Sequence, residues 1–230
     1  MFKIIKFLFI KLNYIFFSRE EKFFKRHKFI WGNKPKRTDL ILEIINKKKV
    51  TSYLEIGCDD DLNFSKINVP NKIGVDPNKG GNVRLTSDQF FLENKIFFDL
   101  IFIDGLHEFK QVIKDIENSI KFLNPNGIIL IHDCLPQTIW HQLVPRIYKG
   151  TWTGDVWKSI VYFRTKKNLD TYTIFIDNGI GMILPKENKN TLNLNLDQIS
   201  KLGFKNYYYN YKNYLNVIDY NQALKIISQF

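Results

Sequence analysis

Cysteine is nearly absent from this chain of 230 residues: Cys58 and Cys134 stand far apart and in no metal-type spacing. That excludes a disulfide framework and a zinc site, and it suits a reducing cytoplasm. Long hydrophobic runs are missing too. In the most apolar stretch, Met1 to Phe17, Lys3, Lys6 and Lys11 interrupt the pattern and the unbroken run is only Phe7 to Ile10. A bilayer span needs about 20 apolar residues, and no small-residue cleavage site follows. Acids are scarce at the start: residues 1–50 hold 14 Lys/Arg against 4 Asp/Glu, while the remaining 180 hold 20 against 19. The net charge of +11 therefore belongs to an N-terminal arm. The near-neutral body shows no basic, aromatic-interleaved face, which argues against nucleic acid as a partner.

For the arm, residues 1–37, three occupants stay open: its own domain or a second subunit in a homo-oligomer, a membrane surface, and nucleic acid. On the membrane reading it is an amphipathic helix at the inner membrane face, with Lys3, Lys6, Lys11, Arg19, Lys22, Lys25, Arg26 and Lys28 toward anionic head groups. Histidine 27 is expected to be solvated. The break Gly32-Asn33-Lys34-Pro35-Lys36-Arg37 closes the arm, and Thr38 is placed to cap a helix carrying Leu40, Ile41, Ile44 and Ile45.

Glycine is thin where a dinucleotide enzyme would need it. Tyr53-Leu54-Glu55-Ile56-Gly57 reads as a strand ending on glycine, and nineteen residues after Gly57 the run Lys72-Ile73-Gly74-Val75 ends on Asp76. This is the spacing at which a nucleotide-type ligand is held, but the second and third glycines are missing. Asp59-Asp60-Asp61 stands where a diphosphate would lie and would repel one. A nucleoside without phosphates, such as S-adenosylmethionine, fits better.

Downstream, strands are expected near 82–86 and over Phe98 to Asp104, the latter apolar on successive residues as in a parallel sheet covered on both faces. Phe109, Val112, Ile113, Ile116, Ile120 and Leu123 repeat at helical spacing, Asn124-Pro125-Asn126-Gly127 stops the helix, and Ile128 to Ile131 is the next strand. A helix over 155–164 precedes two short β-type runs, 171–176 and 180–184, joined by Asp177-Asn178-Gly179, a hairpin signal. The expected fold is α/β: a Rossmann-like, mostly parallel sheet with a C-terminal antiparallel hairpin and helices on both faces. Residues 38–195 form the central domain and 196–230 a Tyr-rich helical extension on the outside.

Together with Gly74-Val75-Asp76-Pro77, Thr86-Ser87-Asp88-Gln89-Phe90-Phe91, Asp99 to His107, Leu130-Ile131-His132-Asp133-Cys134 and Gly154-Asp155-Val156-Trp157-Lys158, these motifs resemble class I S-adenosylmethionine-dependent methyltransferases from about residue 50 to 185. Within that superfamily they look most like a bacterial small-molecule branch associated with surface glycans. The loop Cys58-Asp59-Asp60-Asp61-Leu62 departs from it in lacking a later glycine. The resemblance implies that Glu55 and Gly57 line the methionine end, that Asp76 takes the ribose hydroxyls, that Ser87 and Asp88 lie by the adenine, and that Asp104 serves the cofactor side as well. It also implies that Asp104 and Asp133 stand where related metal-dependent O-methyltransferases place carboxylate ligands to an ion such as magnesium (Mg2+), with Cys134 where those enzymes often use an amide.

Asp104, His107, His132 and Asp133 all follow strand ends, where open α/β sheets bind ligands, and are the candidate catalytic groups. Asp155 and Trp157 are candidates to close the acceptor pocket. The expected activity is O-methylation of a sugar, nucleotide-sugar or similar small polar acceptor. N-methylation, RNA methylation, and a membrane- or nucleic-acid-docking module with a vestigial cofactor site are the alternatives.

Overall fold

In the computed structural model, residues 2–24, 26–147 and 149–230 are described, with side chains from residue 8 onward. The side chains of Lys3 and Lys6, and Lys25 altogether, which the membrane reading counts, lie outside the described residues. A helix α1 (Phe2–Phe23) precedes α2 (Arg37–Lys48), β1 (Ser52–Ile56), β2 (Asn71–Val75), α3 (Ser87–Glu93), β3 (Phe98–Ile103), α4 (Phe109–Lys121) and β4 (Leu123–Ile131). Then come α5 (Ile139–Gln142), α6 (Trp157–Phe163), β5 (Asp170–Ile174), β6 (Ile180–Leu184), α7 (Leu196–Ser200), α8 (Phe204–Tyr214), β7 (Val217–Ile218) and α9 (Tyr220–Gln229).

The seven strands form one sheet in the order β2-β1-β3-β4-β6-β5-β7. β1 pairs in parallel with β2 and β3, and β3 with β4; β6 is antiparallel to both β4 and β5, and β7 joins β5 in parallel. Only β6 runs against the rest, so the hairpin leaves β5 pointing the same way as β4. Successive residues explain the coverage: Leu54, Ile101 and Ile103 pack on the α4 and α6 side, while Tyr53, Leu100 and Phe102 pack with α2 and α9. A strand buried on both faces has no polar positions to spare, which is why these read as continuous apolar runs.

Residues 82–86 are not a strand. Val83 makes one bridge to Val75, with Val83 N donating to Gly74 O and Asp76 N to Val83 O, and the side chain of Asn82 takes the next positions, accepting from Gly74 N at 2.8 Å and donating to Lys72 O at 3.0 Å. Thr86 then caps α3 by accepting from Gln89 N. Thr38 does not cap α2, which begins two residues earlier with Lys36 at the N-cap: Lys36 N donates to Asp39 Oδ2, and Thr38 Oγ1 turns to Asn63 Oδ1 at 2.8 Å. The segment 196–230 contributes β7 to the sheet as well as helices. It is fastened by Arg164, whose buried guanidinium donates to the carbonyl oxygens of Asn190, Asn213 and Tyr214.

Candidate active site

The C-terminal ends of the parallel strands make one rim, and the chain brings charged residues to it from four places. Asp104 follows β3, and His132 and Asp133 follow β4. Because β5 runs parallel to β4, the hairpin turn after it delivers Asp177 to the same rim. α2 leads into β1 from above, so its first residue, Arg37, also stands there. A cleft of about 1080 Å³ runs along this rim, bounded by Gly57 and Asp76 at one end and by Trp152 and Asp133 at the other.

Asp104 is the hub. Its Oδ1 lies 3.2 Å from His107 Nε2 and 3.1 Å from His132 Nδ1, and its Oδ2 accepts from Arg37 Nη1 at 2.5 Å. Arg37 also holds Asp177, donating from both its backbone N and Nε to Oδ2 at 3.0 Å. His107 Nδ1 lies 3.0 Å from the Trp152 carbonyl and 3.4 Å from Asp133 Oδ2, and its ring stacks on Trp152 at 5.4 Å. Asp133 adopts a left-handed backbone (φ 60°), and its buried Oδ1 has no hydrogen-bond partner. Three carboxylates thus face one guanidinium and two imidazoles.

The electrostatics follow from that count. Burial works against charge on His132, but the Asp104 and Asp133 carboxylates outweigh it and push the imidazole up to about 10. His132 Nδ1, also 3.1 Å from Arg37 Nη1, is therefore a donor to Asp104. His107 is raised as well, burial being outweighed by its hydrogen bond to Asp104 and by Asp133. Asp104 resists burial and is held well below the usual carboxylate range by His132, His107 and Arg37. Asp133 goes the other way: burial raises it, and the neighbouring imidazoles and Arg37 only partly offset that.

At the other end of the cleft, Glu55 is buried on β1, where its Oε2 accepts from Tyr53 Oη at 2.5 Å and from Asn63 Nδ2 at 2.8 Å. Burial pushes it up to about 7 despite these donors. Asp76 Oδ2 accepts from Cys58 N and Asp59 N, and Oδ1 from Asn78 N and Lys79 N, all at 2.8–3.1 Å. These backbone donors outweigh burial and hold the carboxyl below its ordinary value. Its four lone-pair directions are taken by the two loops it ties together, so ribose hydroxyls reach it only by sharing. Gly57 (φ +85°) is required by packing, since a Cβ there would lie 2.3 Å from the Asp104 carbonyl oxygen. Ser87 and Asp88 line the cleft from the first turn of α3, where Asp88 pairs with Lys114 at 2.5 Å and accepts from Gln111. The acidic triplet faces the loop across from it: Lys79 Nζ lies 2.7 Å from Asp59 and 2.5 Å from Asp60, and Asp61 accepts from Gly81 N.

Arg37, Asp177 and Trp152 are the site residues that sequence reasoning missed. Arg37 was absorbed into the basic arm and Asp177 into a turn signal; only the parallel direction of β5 reveals the second. Trp157 and Asp155, expected to close the acceptor pocket, do not line the cleft. Trp157 is fully buried with Nε1 donating to Gln142, and Asp155 caps α4 by accepting from Phe109 N at 2.8 Å. The wall is Trp152 instead, placed by Gly154 (φ +55°), where a Cβ would collide with the His107 carbonyl oxygen. Cys134 is buried, its Sγ directed at the Ile131 and His132 carbonyls. His27 is not solvated either: it stacks on Phe29 at 4.8 Å among Tyr207, Tyr208 and Tyr211, and burial lowers its pKa.

Residues 74–134, from β2 through the site acids, match the family model described as a methyltransferase domain. No curated protein matches the chain. Among solved structures, cofactor-bound Rv0187 from MTB aligns with a TM-score of 0.50 at 13% identity, covering 73% of this chain and 87% of that one. The O-methyltransferase from Bacillus cereus in complex with SAH aligns at 0.49 and 12% identity (67% and 84%). A putative caffeoyl-CoA O-methyltransferase from Staphylococcus aureus aligns at 0.48 and 17% (76% and 91%).

Proposed function

We propose that this chain is a class I S-adenosylmethionine-dependent methyltransferase, a reading the match of residues 74–134 to a methyltransferase domain supports, and that it moves the methyl group onto a hydroxyl oxygen of a small polar acceptor, a sugar or nucleotide-sugar. The observation that carries the reading is the cluster around Asp104, on the cleft that Glu55 and Asp76 also line. The donor spans from the Gly57 and Asp76 loops toward Asp104, with its adenine by Ser87 and Asp88 and its methionine end by Glu55. The acceptor lies against Trp152, whose aromatic face suits a sugar ring. Residues 38–195, joined by Arg37, form the working domain.

Methyl transfer is an in-line displacement: the acceptor oxygen forms a bond to the methyl carbon, the carbon–sulfur bond breaks, and the hydroxyl proton must leave. Asp133 is the group placed to take it. Its Oδ1 is buried and makes no hydrogen bond, lying 3.3 Å from His132 Nδ1, and its raised pKa makes it a better base than a surface carboxylate. His132, held protonated by Asp104 and Asp133, does not serve as a base; it and His107 orient the two acids. Arg37 fixes Asp104 and Asp177 in the same way.

The donor set also fits a divalent cation. Ligand atoms of Asp104, His107 and Asp133 come within 4.8 Å of one another, and the orphaned Asp133 oxygen is among the groups an ion would satisfy. An ion such as Mg2+ bound there would supply positive charge that lowers the acceptor's pKa.

Isothermal titration with S-adenosylhomocysteine is the direct test. Saturable binding in wild type and in Asp133→Asn, with turnover on a nucleotide-sugar panel lost only in the variant, is the expected result. Absence of binding at high micromolar ligand would sink the reading.

A further inference from the structure

α1 leaves a long apolar stripe without a partner. Leu8, Leu12, Ile15, Phe16 and Phe23 fall at offsets 0, 4, 7, 8 and 15, which return to one side of a helix. All five are exposed, Leu12 at 67% and Phe23 at 78%. The other side of the helix already has its contact: Tyr14 stacks on Trp140 at 5.1 Å and Phe17 meets the same ring edge-on at 6.4 Å. The stripe therefore points away from the domain. Exposed Lys11, Arg19 and Lys22 lie within or beside it. No helix among the described residues is long and apolar enough to cross a membrane.

We propose that α1 is an interfacial helix that docks the protein on an anionic lipid bilayer, its apolar stripe entering the head-group boundary and its cations pairing with lipid phosphates. Two further observations favour this occupant. The exposed face of α8 presents Lys205, Tyr209 and Lys212, and Tyr209 meets Phe24, just past the end of α1, at 6.0 Å. A tyrosine between lysines is suited to the bilayer–water boundary. A second copy fits worse, because a two-fold contact through the stripe would set this basic arm, with 14 Lys/Arg against 4 Asp/Glu in residues 1–50, against itself.

This inference does not depend on the methyltransferase reading. The test is flotation of the full chain with vesicles of phosphatidylglycerol and phosphatidylcholine or of phosphatidylcholine alone. Binding is expected only to the anionic vesicles and should weaken at high salt. Leu12→Asp combined with Phe16→Asp should abolish it. Replacing Lys11, Arg19 and Lys22 by glutamine should weaken it by about a hundredfold, at about 1 kcal/mol per charge near the surface. S-adenosylhomocysteine affinity and melting temperature should stay at wild-type values in both variants, which shows that they fold. No binding to anionic vesicles, equal binding to both vesicle types, or wild-type binding by the Asp variant overturns the proposal. So does a dimer that the Asp variant dissolves in a protein that does not float.

Discussion

Burial raises the pKa of both Asp133 and Glu55, with different consequences. In the proposed mechanism Asp133 takes the acceptor proton, and its raised pKa then sets the acid limb of activity above the ordinary carboxylate range. As pH falls through that value the base is protonated and turnover is lost. Asp133→Asn should lower kcat on the order of a hundred- to ten-thousand-fold and flatten the acid limb, read from a pH profile. Glu55 acts on stability instead. Its folded pKa, up from 4.5 to about 7, means that its stabilising effect is complete below about pH 4.5 and lost as pH rises through 7. Glu55→Gln carries no charge to bury, so its melting temperature should gain on wild type between pH 5 and pH 8. The gain corresponds to about 3 kcal/mol.

Among the elements, the loops after β1, β3 and α5 are fitted to one another through glycine. At Gly154 a methyl group meets the His107 carbonyl at 1.6 Å, and the backbone is left-handed, so alanine must push the Trp152 segment away from His107. The left-handed conformation alone costs a non-glycine residue about 1–2 kcal/mol. Gly154→Ala should therefore cut turnover while S-adenosylhomocysteine affinity, set at the Asp76 end, changes little; paired kinetics and titration calorimetry separate the two. The motif Gly154 to Lys158 was visible in the chain, but its use was not. Asp155 and Trp157 looked like pocket residues because polar and aromatic side chains near a strand rim commonly are. Only packing shows that one caps α4 and the other fills the core. The strand expected at 82–86 failed for a comparable reason: β propensity cannot foresee that the Asn82 side chain will take the positions next to the single bridge.

At the scale of the molecule, Arg164 joins the central sheet to the last forty residues. Its guanidinium is buried and donates to backbone carbonyls, and burial lowers its pKa, with the Asp170 carboxylate only partly offsetting the shift. Arg164→Met should leave the Asn190, Asn213 and Tyr214 carbonyls unpaired at about 1–3 kcal/mol each, detectable as a fall in melting temperature and faster proteolysis beyond residue 190. α8 and β7 follow directly from this staple, so the Tyr-rich segment is part of the fold's closure. The same segment supports α1 through Phe24 and Tyr208.

The order of apolar runs, the glycine after β1, the acid after β2 and the Asn-Gly hairpin determined the sheet and its one reversed strand, because each is a local pattern of burial or turn geometry. Asp104, His107, His132 and Asp133 were legible for the same reason, since strand ends are local features. Arg37 and Asp177 were not, although they lie within hydrogen-bond distance of each other. Their meeting at Asp104 depends on the direction of β5 and on how α2 enters β1, and charge pairing across 140 residues leaves no mark in the pattern of either segment. The tertiary structure likewise decided that Asp76 ties two loops and that Asp104 gathers both imidazoles and Arg37, because hydrogen-bond partners are set by neighbours that only folding assembles.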